Sequence, residues 1–412
     1  MIFSIAWKNV WRNKLRSSIV IASIIIGLLG GILYLAFAKG MVQQQVSSAI
    51  HSEISNIQIH HPQFLINDEI QFVITNPDDK VKAIREIVGV TEVTSRITSA
   101  AMASSAITGT GIFIKGISIE EEREVTNINT LLIDGTYFDT KLRNPAVIGE
   151  KLATKLKVKV RSKIVVTIQS ASGDISYSAF RVAGIFKTNN SNFDLMNVFV
   201  QKKDLAKIIG VEETHSTEIS VLLDHNNLTT SISEKIVSLF SKDISEKILV
   251  VRTWEDISPV LKMMNEMTIQ YSMIFVIIIL VALSFGIINT MLMAIMERVR
   301  EIGMLMAIGM NKVQVFFMIM LETIFLSISG GIVGLLLSWA LVTLLGISGI
   351  DLSAIAEGLN SMGYSSFVYP ELDYIYYALI GELVIVTAIF ASIMPARKAL
   401  KFNPAEAVRH DA

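Results

Sequence analysis

The sequence of 412 residues contains no cysteine, and this absence removes several kinds of site. A chain without a thiol has no disulfide, no cysteine nucleophile and no thiolate ligand for zinc. The sequence also lacks the G-x-x-x-x-G-K-[ST] phosphate loop and the H-E-x-x-H and G-x-S-x-G motifs. These absences favour a non-catalytic protein over an enzyme that hydrolyses ATP, peptides or esters.

The residues that could hold a metal ion are few and poorly placed. His60 and His61 are adjacent, and neighbours on a strand point to opposite faces, so their rings cannot easily share a metal. Asp78–Asp79 and Glu120–Glu122 fit the solvated first turns of helices, where acids complement the helix dipole. We therefore expect no metal site.

Charged residues are missing from the long runs Ser18–Ala38 and Ile269–Met296. Two further apolar runs, Val313–Ile350 and Tyr374–Ala396, contain a single acid each. A membrane-spanning helix needs about 20 mostly apolar residues. The sequence therefore predicts four transmembrane helices, and the mean hydropathy of +0.53 fits a chain that is partly membrane and partly water-soluble.

The first apolar run could also be a signal peptide, because Ala36-Phe37-Ala38 resembles a cleavage site. The run is longer than the apolar core of a usual signal peptide, and the basic region before it is long too. We therefore expect this run to be a retained membrane anchor.

The distribution of Lys and Arg near the spans predicts their orientation. The N-terminal segment, the loop after the second span and the C-terminal tail are basic, whereas the loop between spans three and four has four acids and no Lys or Arg. Both termini should therefore be cytoplasmic, with the large segment after span one outside. The predicted segments are a cytoplasmic amphipathic segment 1–17, helix 18–38, an extracytoplasmic domain 39–268, helix 269–296, a cytoplasmic segment 297–312, helix 313–345, an outer loop 346–373, helix 374–396 and a cytoplasmic tail 397–412.

The predicted extracytoplasmic domain has a mixed pattern of strands and helices. Alternating apolar residues predict strands at Ile54–His60, Val90–Ile97, Gly111–Ile117, Lys163–Gln169, Phe180–Ile185, Asn197–Val200 and Glu218–Leu223. Helical spacing predicts helices at Asp78–Val88, Ala146–Leu156 and Leu228–Phe240. The expected fold is a membrane protein with four transmembrane α-helices and a large α+β domain of two subdomains, inserted between helices 1 and 2.

Polar residues inside the predicted spans need an explanation, because a carboxylate in a membrane is costly. Glu322 and Glu382 are expected to lie against protein, with a substrate or proton role as the alternative. Asn289 is expected to bond across helices. Gly330 and Gly334 predict close packing of span three against another helix of this chain or of a second copy.

The segment Met296–Gly309 (MERVREIGMLMAIG) lies directly between the second and third apolar runs. It is too polar to be buried in lipid and too short to form a domain. We interpret it as a surface that another protein binds through charge-assisted hydrogen bonds with its arginines and acids. The net charge of −1 argues against nucleic acid as that partner.

Three segments carry a resemblance to a known family. Asn289–Gly309 resembles the signature of MacB/FtsX-type ABC transporter permeases, Met394–Arg409 is similar to their closing pattern, and Ile5–Gly27 is similar to their opening segment. The resemblance implies a dimer with a second permease copy or a paralogue, driven by a cytoplasmic ABC ATPase dimer in the bacterial inner membrane. ATP and Mg would be bound by the ATPase, and no cofactor by this chain. The residues that would contact the ATPase are Glu297, Arg298, Arg300, Glu301, Ile302, Gly303, Met306 and Gly309.

Within the family, Glu53–Phe64, Trp254–Met267 and Met291–Met296 are most similar to the lipoprotein-releasing (LolC/LolE-like) permeases. That similarity implies extraction of lipoproteins from the outer leaflet, with transfer to a periplasmic carrier. Acyl chains would enter a cavity lined by Met41, Met263, Met264, Met267 and Met273, although plain helix packing explains these methionines equally well. A MacB-like efflux permease and an FtsX-like mechanical device that acts on a cell-wall hydrolase are the alternatives.

Overall fold

The computed structural model describes residues 2–64, 70–138 and 141–400. The chain forms two compact units. The helical unit comprises Met1–Val42, Asn265–Asp351 and Phe367–Ala412, and the sheet unit comprises Gln43–Met264 and Leu352–Ser366. Residues 401–412, most of the predicted tail, lie outside the described residues.

Up to residue 201, one long helix is followed by short strands and helices. In chain order the elements are α1 (Ile2–Arg12), α2 (Lys14–Ala49), a π-helical turn (Ile50–Ile54), β1 (Ile57–His60), α3 (Pro77–Arg85), β2 (Val90–Ser104), β3 (Gly109–Ile117), α4 (Ile119–Val125), β4 (Leu132–Gly135), β5 (Pro145–Gly149), α5 (Glu150–Leu156), β6 (Lys163–Gln169), β7 (Ile175–Phe186), α6 (Ser191–Met196) and β8 (Asn197–Gln201).

After residue 201, the last two strands of the large sheet precede three long helices. In chain order the elements are α7 (Lys202–Ile209), β9 (Glu218–Leu223), α8 (Thr229–Leu239), α9 (Ser241–Ser245), β10 (Val250–Thr253), α10 (Trp254–Ile257), α11 (Pro259–Glu297), α12 (Val299–Ala307), α13 (Lys312–Ser348), β11 (Ile350–Asp351), α14 (Ala356–Ser361), β12 (Phe367–Val368) and α15 (Tyr374–Ala399).

Four helices of the described residues are long and apolar enough to cross a membrane. They span Ser17–Ile54, Pro259–Glu297, Lys312–Ser348 and Tyr374–Ala399, and each contains one of the four predicted apolar runs or most of it. Their buried side chains form one apolar core in the helical unit. The prediction of four candidate membrane helices is confirmed, and this is a multi-pass membrane protein.

The short helix α1 packs against α13 within the helical unit. Its residues Ala6 and Val10 are fully buried, whereas Trp7 and Trp11 are about half exposed. The ring of Trp7 meets Phe325 of α13 edge-on, with ring centroids 5.4 Å apart. The amphipathic N-terminal segment is thus a helix whose small apolar side chains face the bundle.

The sheet unit contains a ten-stranded sheet in the order β10-β1-β9-β2-β3-β8-β5-β7-β4, and β6 pairs with both β2 and β7. Strands β2, β3, β8, β5, β7 and β6 therefore close a ring, which leaves few exposed strand edges. The 15-residue strand β2 belongs to this ring and also to the antiparallel group β10-β1-β9-β2. Separate apolar clusters lie in the ring and under the antiparallel group, matching the two predicted subdomains.

Two local predictions were wrong. Ile54–Asn56 does not begin a strand, because the chain leaves α2 through the π-helical turn before β1 starts at Ile57. The predicted helix at Ala146–Leu156 is a buried strand, β5, followed by the helix α5. A short, continuous apolar stretch such as Pro145–Gly149 is compatible with either element.

The predicted outer loop contributes residues to the sheet unit that the sequence did not indicate. Leu352–Ser366 belongs to that unit, and the side chain of Gln45 donates to the carbonyl oxygen of Met362 at 3.0 Å. Asn192 also donates to the carbonyl oxygen of Ser361, at 3.4 Å. This segment between the third and fourth long helices is therefore held against the sheet unit.

Candidate functional site: the coupling segment and its charged neighbours

The coupling segment, residues 297–312, contains the short helix α12. Arg298 leaves the helical conformation between α11 and α12, with φ −114° and ψ 16°. At the other end Gly309 has a φ of +110°, a conformation that glycine adopts readily and other residues rarely do. Asn311 and Gln314 then form a capping box that starts α13. A nine-residue helix with a break at each end is too short to be stable alone.

The two faces of α12 differ in exposure. Ile302 and Gly303 are buried in the helical unit, and Met306 packs against its apolar core. Met304 is 52% exposed and Ile308, just after the helix, is 85% exposed. Ile308 was missing from the predicted set, although exposed apolar side chains are typical of a protein contact.

A chain of alternating charges joins α12 to its neighbours. Arg12 of α1 donates to Glu301 at 2.5 Å, and Arg298 donates to Glu301 at 3.0 Å. Arg298 also donates to both carboxylate oxygens of Glu322 in α13, at 3.1 and 3.2 Å. Burial alone would raise the pKa of Glu301, but the hydrogen bonds from the two arginines outweigh burial and lower it.

These bonds and the burial of α12 describe the surroundings of the predicted ATPase contacts, which stay predictions. The side chain of Arg298 is 13% exposed and forms an ion pair with Glu322 of the same chain. Ile302 and Gly303 are also buried within this chain. Glu297, Arg300 and Gly309 are exposed and Glu301 is partly exposed.

The three polar residues predicted inside the spans have different environments. Glu322 is buried against Arg298, whereas Glu382 and Asn289 are exposed on the single chain. A cross-helix bond of Asn289 or a protein contact of Glu382 would thus need a second chain, and both stay predictions. Gly330 and Gly334 lie against α2 of the same chain, where added Cβ atoms would come within 3.1 Å of Ile24 and 2.7 Å of Leu28.

The five methionines of the predicted cavity are divided between the two units. Met263 and Met264 belong to the sheet unit, whereas the other three methionines belong to the helical unit. Met263 is 53% exposed, and Met273 is half-buried against the core of the helical unit. The acyl-chain cavity stays a prediction.

The sheet unit contains a buried charged cluster around Arg96 on β2. Arg96 donates to both carboxylate oxygens of Glu122 on α4, at 2.7 and 2.8 Å, and to Glu218 on β9 at 2.8 Å. Burial favours the neutral arginine, but the two carboxylates outweigh it and raise the pKa of Arg96. Burial would raise the pKa of Glu218, and the charge of Arg96 instead lowers it to about 2. The expectation that Glu122 is solvated was wrong, because it is fully buried.

A partly buried acid lies in the π-helical turn just after α2. Glu53, in the π-helical turn, accepts a hydrogen bond from Nδ2 of Asn190 at 2.9 Å. Burial raises the pKa of Glu53 to about 7, more than the Asn190 bond and the charge of Lys115 lower it. Lys115 donates to the carbonyl oxygen of Glu53 at 3.2 Å, and burial lowers the pKa of this lysine.

A cleft formed by described residues of the sheet unit has a volume of about 820 Å³. It lies between α5, α6 and Ser353–Asn360, and Glu150 and Lys187 form an ion pair of 2.9 Å on its wall. Among the described residues, no group of three or more His, Asp or Glu is placed to hold a metal ion. His60 is buried and its ring lies 3.0 Å from the carbonyl oxygen of Thr217.

Comparison with known proteins identifies both units. Residues 17–239 match the MacB-like periplasmic core domain, and residues 273–404 match the FtsX-like permease C-terminal. An uncharacterized ABC transporter permease of Methanocaldococcus jannaschii is 26% identical over 99% of this chain and 97% of its own length. The macrolide export ATP-binding/permease protein MacB of Escherichia coli is 23% identical over 97% of this chain.

This chain spans 59% of the length of that MacB protein. Among solved structures, the periplasmic region of MacB from Actinobacillus actinomycetemcomitans covers 53% of this chain at 12% identity, with a TM-score of 0.37. The matches to the two domains cover most of the chain in the predicted order. The chain belongs to the MacB/FtsX-type ABC transporter permeases.

Proposed function

We propose that this chain is the permease subunit of an ATP-driven transporter. A separate cytoplasmic ATPase would drive a movement of the sheet unit, which would lie outside the membrane. The observation that carries the proposal is the exposed apolar end of α12, formed by Met304 and Ile308. These side chains would enter a groove of the ATPase, while the inward bonds of Arg298 hold the helix to the rest of the helical unit. Both termini and α12 would face the cytoplasm, as the basic flanking residues favour.

The chain itself offers a route for the motion. Helix α2 runs from the helical unit into the sheet unit, and α11 runs back. The segment Leu352–Ser366 also belongs to the sheet unit and lies between α13 and α15 in the chain. It is therefore a third covalent connection between the sheet unit and the long helices. A movement of the long helices would therefore be transmitted through several connections at once.

The contact with the ATPase can be tested with Ile308→Glu. A charge at the centre of an apolar contact should weaken binding of the ATPase about tenfold or more. Val88→Glu is the matched control, because Val88 is an apolar residue of the sheet unit that is 88% exposed. Co-purification of the ATPase with each full-length variant from native membranes measures the effect. Equal recovery with both variants would reject α12 as the contact.

For the cargo, we propose acylated polypeptides extracted from the outer leaflet of the membrane and passed to a carrier protein. The similarity of Glu53–Phe64 and Trp254–Met267 to lipoprotein-releasing permeases supports this class. Exposed apolar side chains at the start of α11, including Met263, Tyr271 and Phe275, would suit acyl chains. Export of small molecules is the second candidate, favoured by similarity over 97% of this chain to an ATP-binding/permease protein named for macrolide export.

Mass spectrometry distinguishes the two cargo classes. The permease is purified gently with its ATPase and without ATP, and co-purified molecules are identified before and after ATP is added. Acylated polypeptides that are lost on addition of ATP would support lipoprotein extraction. A bound ATPase with no acylated polypeptide would favour export of other molecules.

A further inference from the structure

We propose that Arg298 and Glu322 are positioning residues whose ion pair fixes the orientation of α12, so that a push on α12 is delivered to α13. The inference deepens the proposed function and rests on it. The pair joins the first residue after α11 to the interior of the third long helix, 24 positions later in the sequence.

The pair is largely buried, and the space beside it has little room for water. The side chain of Glu322 is 4% exposed, and Arg298 supplies hydrogen bonds to both of its carboxylate oxygens. The cavity beside the pair, which Met291, Ile302 and Met318 also line, has a volume of about 10 Å³. That volume is at the lower limit for a single water molecule, of about 10–15 Å³. Loss of one partner would leave a poorly solvated charge.

The geometry of α12 explains why such a bond would be needed. The helix is flanked by a non-helical residue, Arg298, and by Gly309 with its positive φ, so neither end continues into a neighbouring helix. Its packing contact is small, through Ile302, Gly303 and Met306. Bonds between side chains of α12 and of its neighbours must therefore set the orientation of the helix.

Charged side chains form such bonds to two neighbouring helices, α1 and α13. Glu301 lies between Arg298 and Arg12, which ties α12 to α1, and Glu322 ties the start of α12 to α13. The Arg12 bond is largely exposed, with side-chain exposures of 54% and 39%, and exposed ion pairs contribute little. The Arg298–Glu322 pair is far more buried than the Arg12 bond, and we assign the positioning role to it.

The experiment compares Arg298→Gln, Glu322→Gln and the double variant in the full-length chain, reconstituted with its ATPase in lipid nanodiscs. Three properties are measured: thermal stability, recovery of the ATPase, and coupling. Coupling is measured as the permease-dependent kcat and KM for ATP, and as the change in hydrogen exchange of Lys312–Ser348 between nucleotide-free and vanadate-trapped complexes.

Each single variant should lower stability and coupling, because it removes one charge of the buried Arg298–Glu322 pair. The double variant removes both charges, so its stability should recover. Its permease-dependent kcat should stay about tenfold below that of the wild type, with an unchanged KM for ATP, as expected when the coupling between two sites is lost. Arg298→Lys keeps the charge but has a single nitrogen in place of the Nε that binds Glu301 and the Nη1 that binds Glu322, so it should restore stability more than coupling.

Two results would overturn the inference. Full recovery of kcat together with stability in the double variant would mean that the pair only stabilises the fold. Normal kcat in folded single variants would mean that the pair does not position α12. If a single variant fails to fold, the double variant and Arg298→Lys decide between these outcomes. Failure of the proposed function is recognised separately, because the wild-type chain would then not recover or stimulate any ATPase.

Discussion

Replacing Glu53 with glutamine should remove a pH dependence from the stability of the sheet unit. Glu53 lies in the π-helical turn that follows α2, and Asn190 donates to its carboxyl group. The groups that influence its charge are Asn190 and Lys115, which favour ionisation, and Asp194, which opposes it. Glutamine keeps an oxygen that can accept the Asn190 bond but never becomes charged.

The direction of the effect follows from the pKa of Glu53. Burial raises it from 4.5 to about 7 in the folded protein. Between these two values the unfolded chain has lost the proton that the folded chain keeps, so stability falls as pH rises through this window. One pKa unit corresponds to about 1.4 kcal/mol, so the wild-type chain should lose about 3 kcal/mol between pH 4 and pH 8 through this group.

Hydrogen exchange of the full-length protein measures this local stability. Peptides that cover residues 50–60 are compared between wild type and Glu53→Gln at each pH, so that the intrinsic pH dependence of exchange cancels. The two proteins should protect this segment equally near pH 4, and the variant should protect it more strongly at pH 8. Glu124→Gln, at an exposed position of α4, is the control and should leave the profile unchanged.

A constant difference between wild type and variant from pH 4 to pH 8 would refute the reasoning. It would mean that the carboxyl group of Glu53 ionises at a similar pH in the folded and unfolded states. Burial against Asn190 would then not decide its charge.

Two further substitutions test the packing of each unit. Arg96→Met should destabilise the sheet unit by about 3–5 kcal/mol, because two buried carboxylates lose their shared partner. Arg123→Met is the control, because the side chain of Arg123 is 43% exposed. Equal unfolding midpoints of the two variants would contradict the prediction. Gly334→Ala should destabilise the helical unit by about 1–3 kcal/mol, since its Cβ would come within 2.7 Å of Leu28. Gly331→Ala meets no atom within 4 Å and should be neutral or stabilising, so equal losses in detergent unfolding would exclude the packing explanation.

The sequence predicted the elements whose signal is local. Apolar runs with at most one charged residue located the four long helices, and short apolar segments located β6 and β9 with the bounds that the structure has. The two subdomains also followed from the order of strands and helices. These features depend on composition and periodicity over about 6 to 20 residues, which is what such patterns report.

The bonds that define the candidate site could not be predicted in the same way. Glu322 was recognised as unusual in an apolar helix, but its partner Arg298 was assigned to an external contact. The choice between the two depends on how α12 folds back between α11 and α13, which requires a break at Arg298. Likewise Arg96, Glu122 and Glu218 are brought together only by strand pairing and by the position of α4.

The shared strand β2 has a consequence for mechanical load in the sheet unit. Its first half pairs with β9 and its second half with β3 and β6, and Arg96 near its middle binds Glu218 of β9 and Glu122 of α4. A hinge between the subdomains would have to bend this strand, which belongs to both. Under an applied force the sheet unit should therefore move as one rigid body. The first movement should come from the segments that enter and leave it.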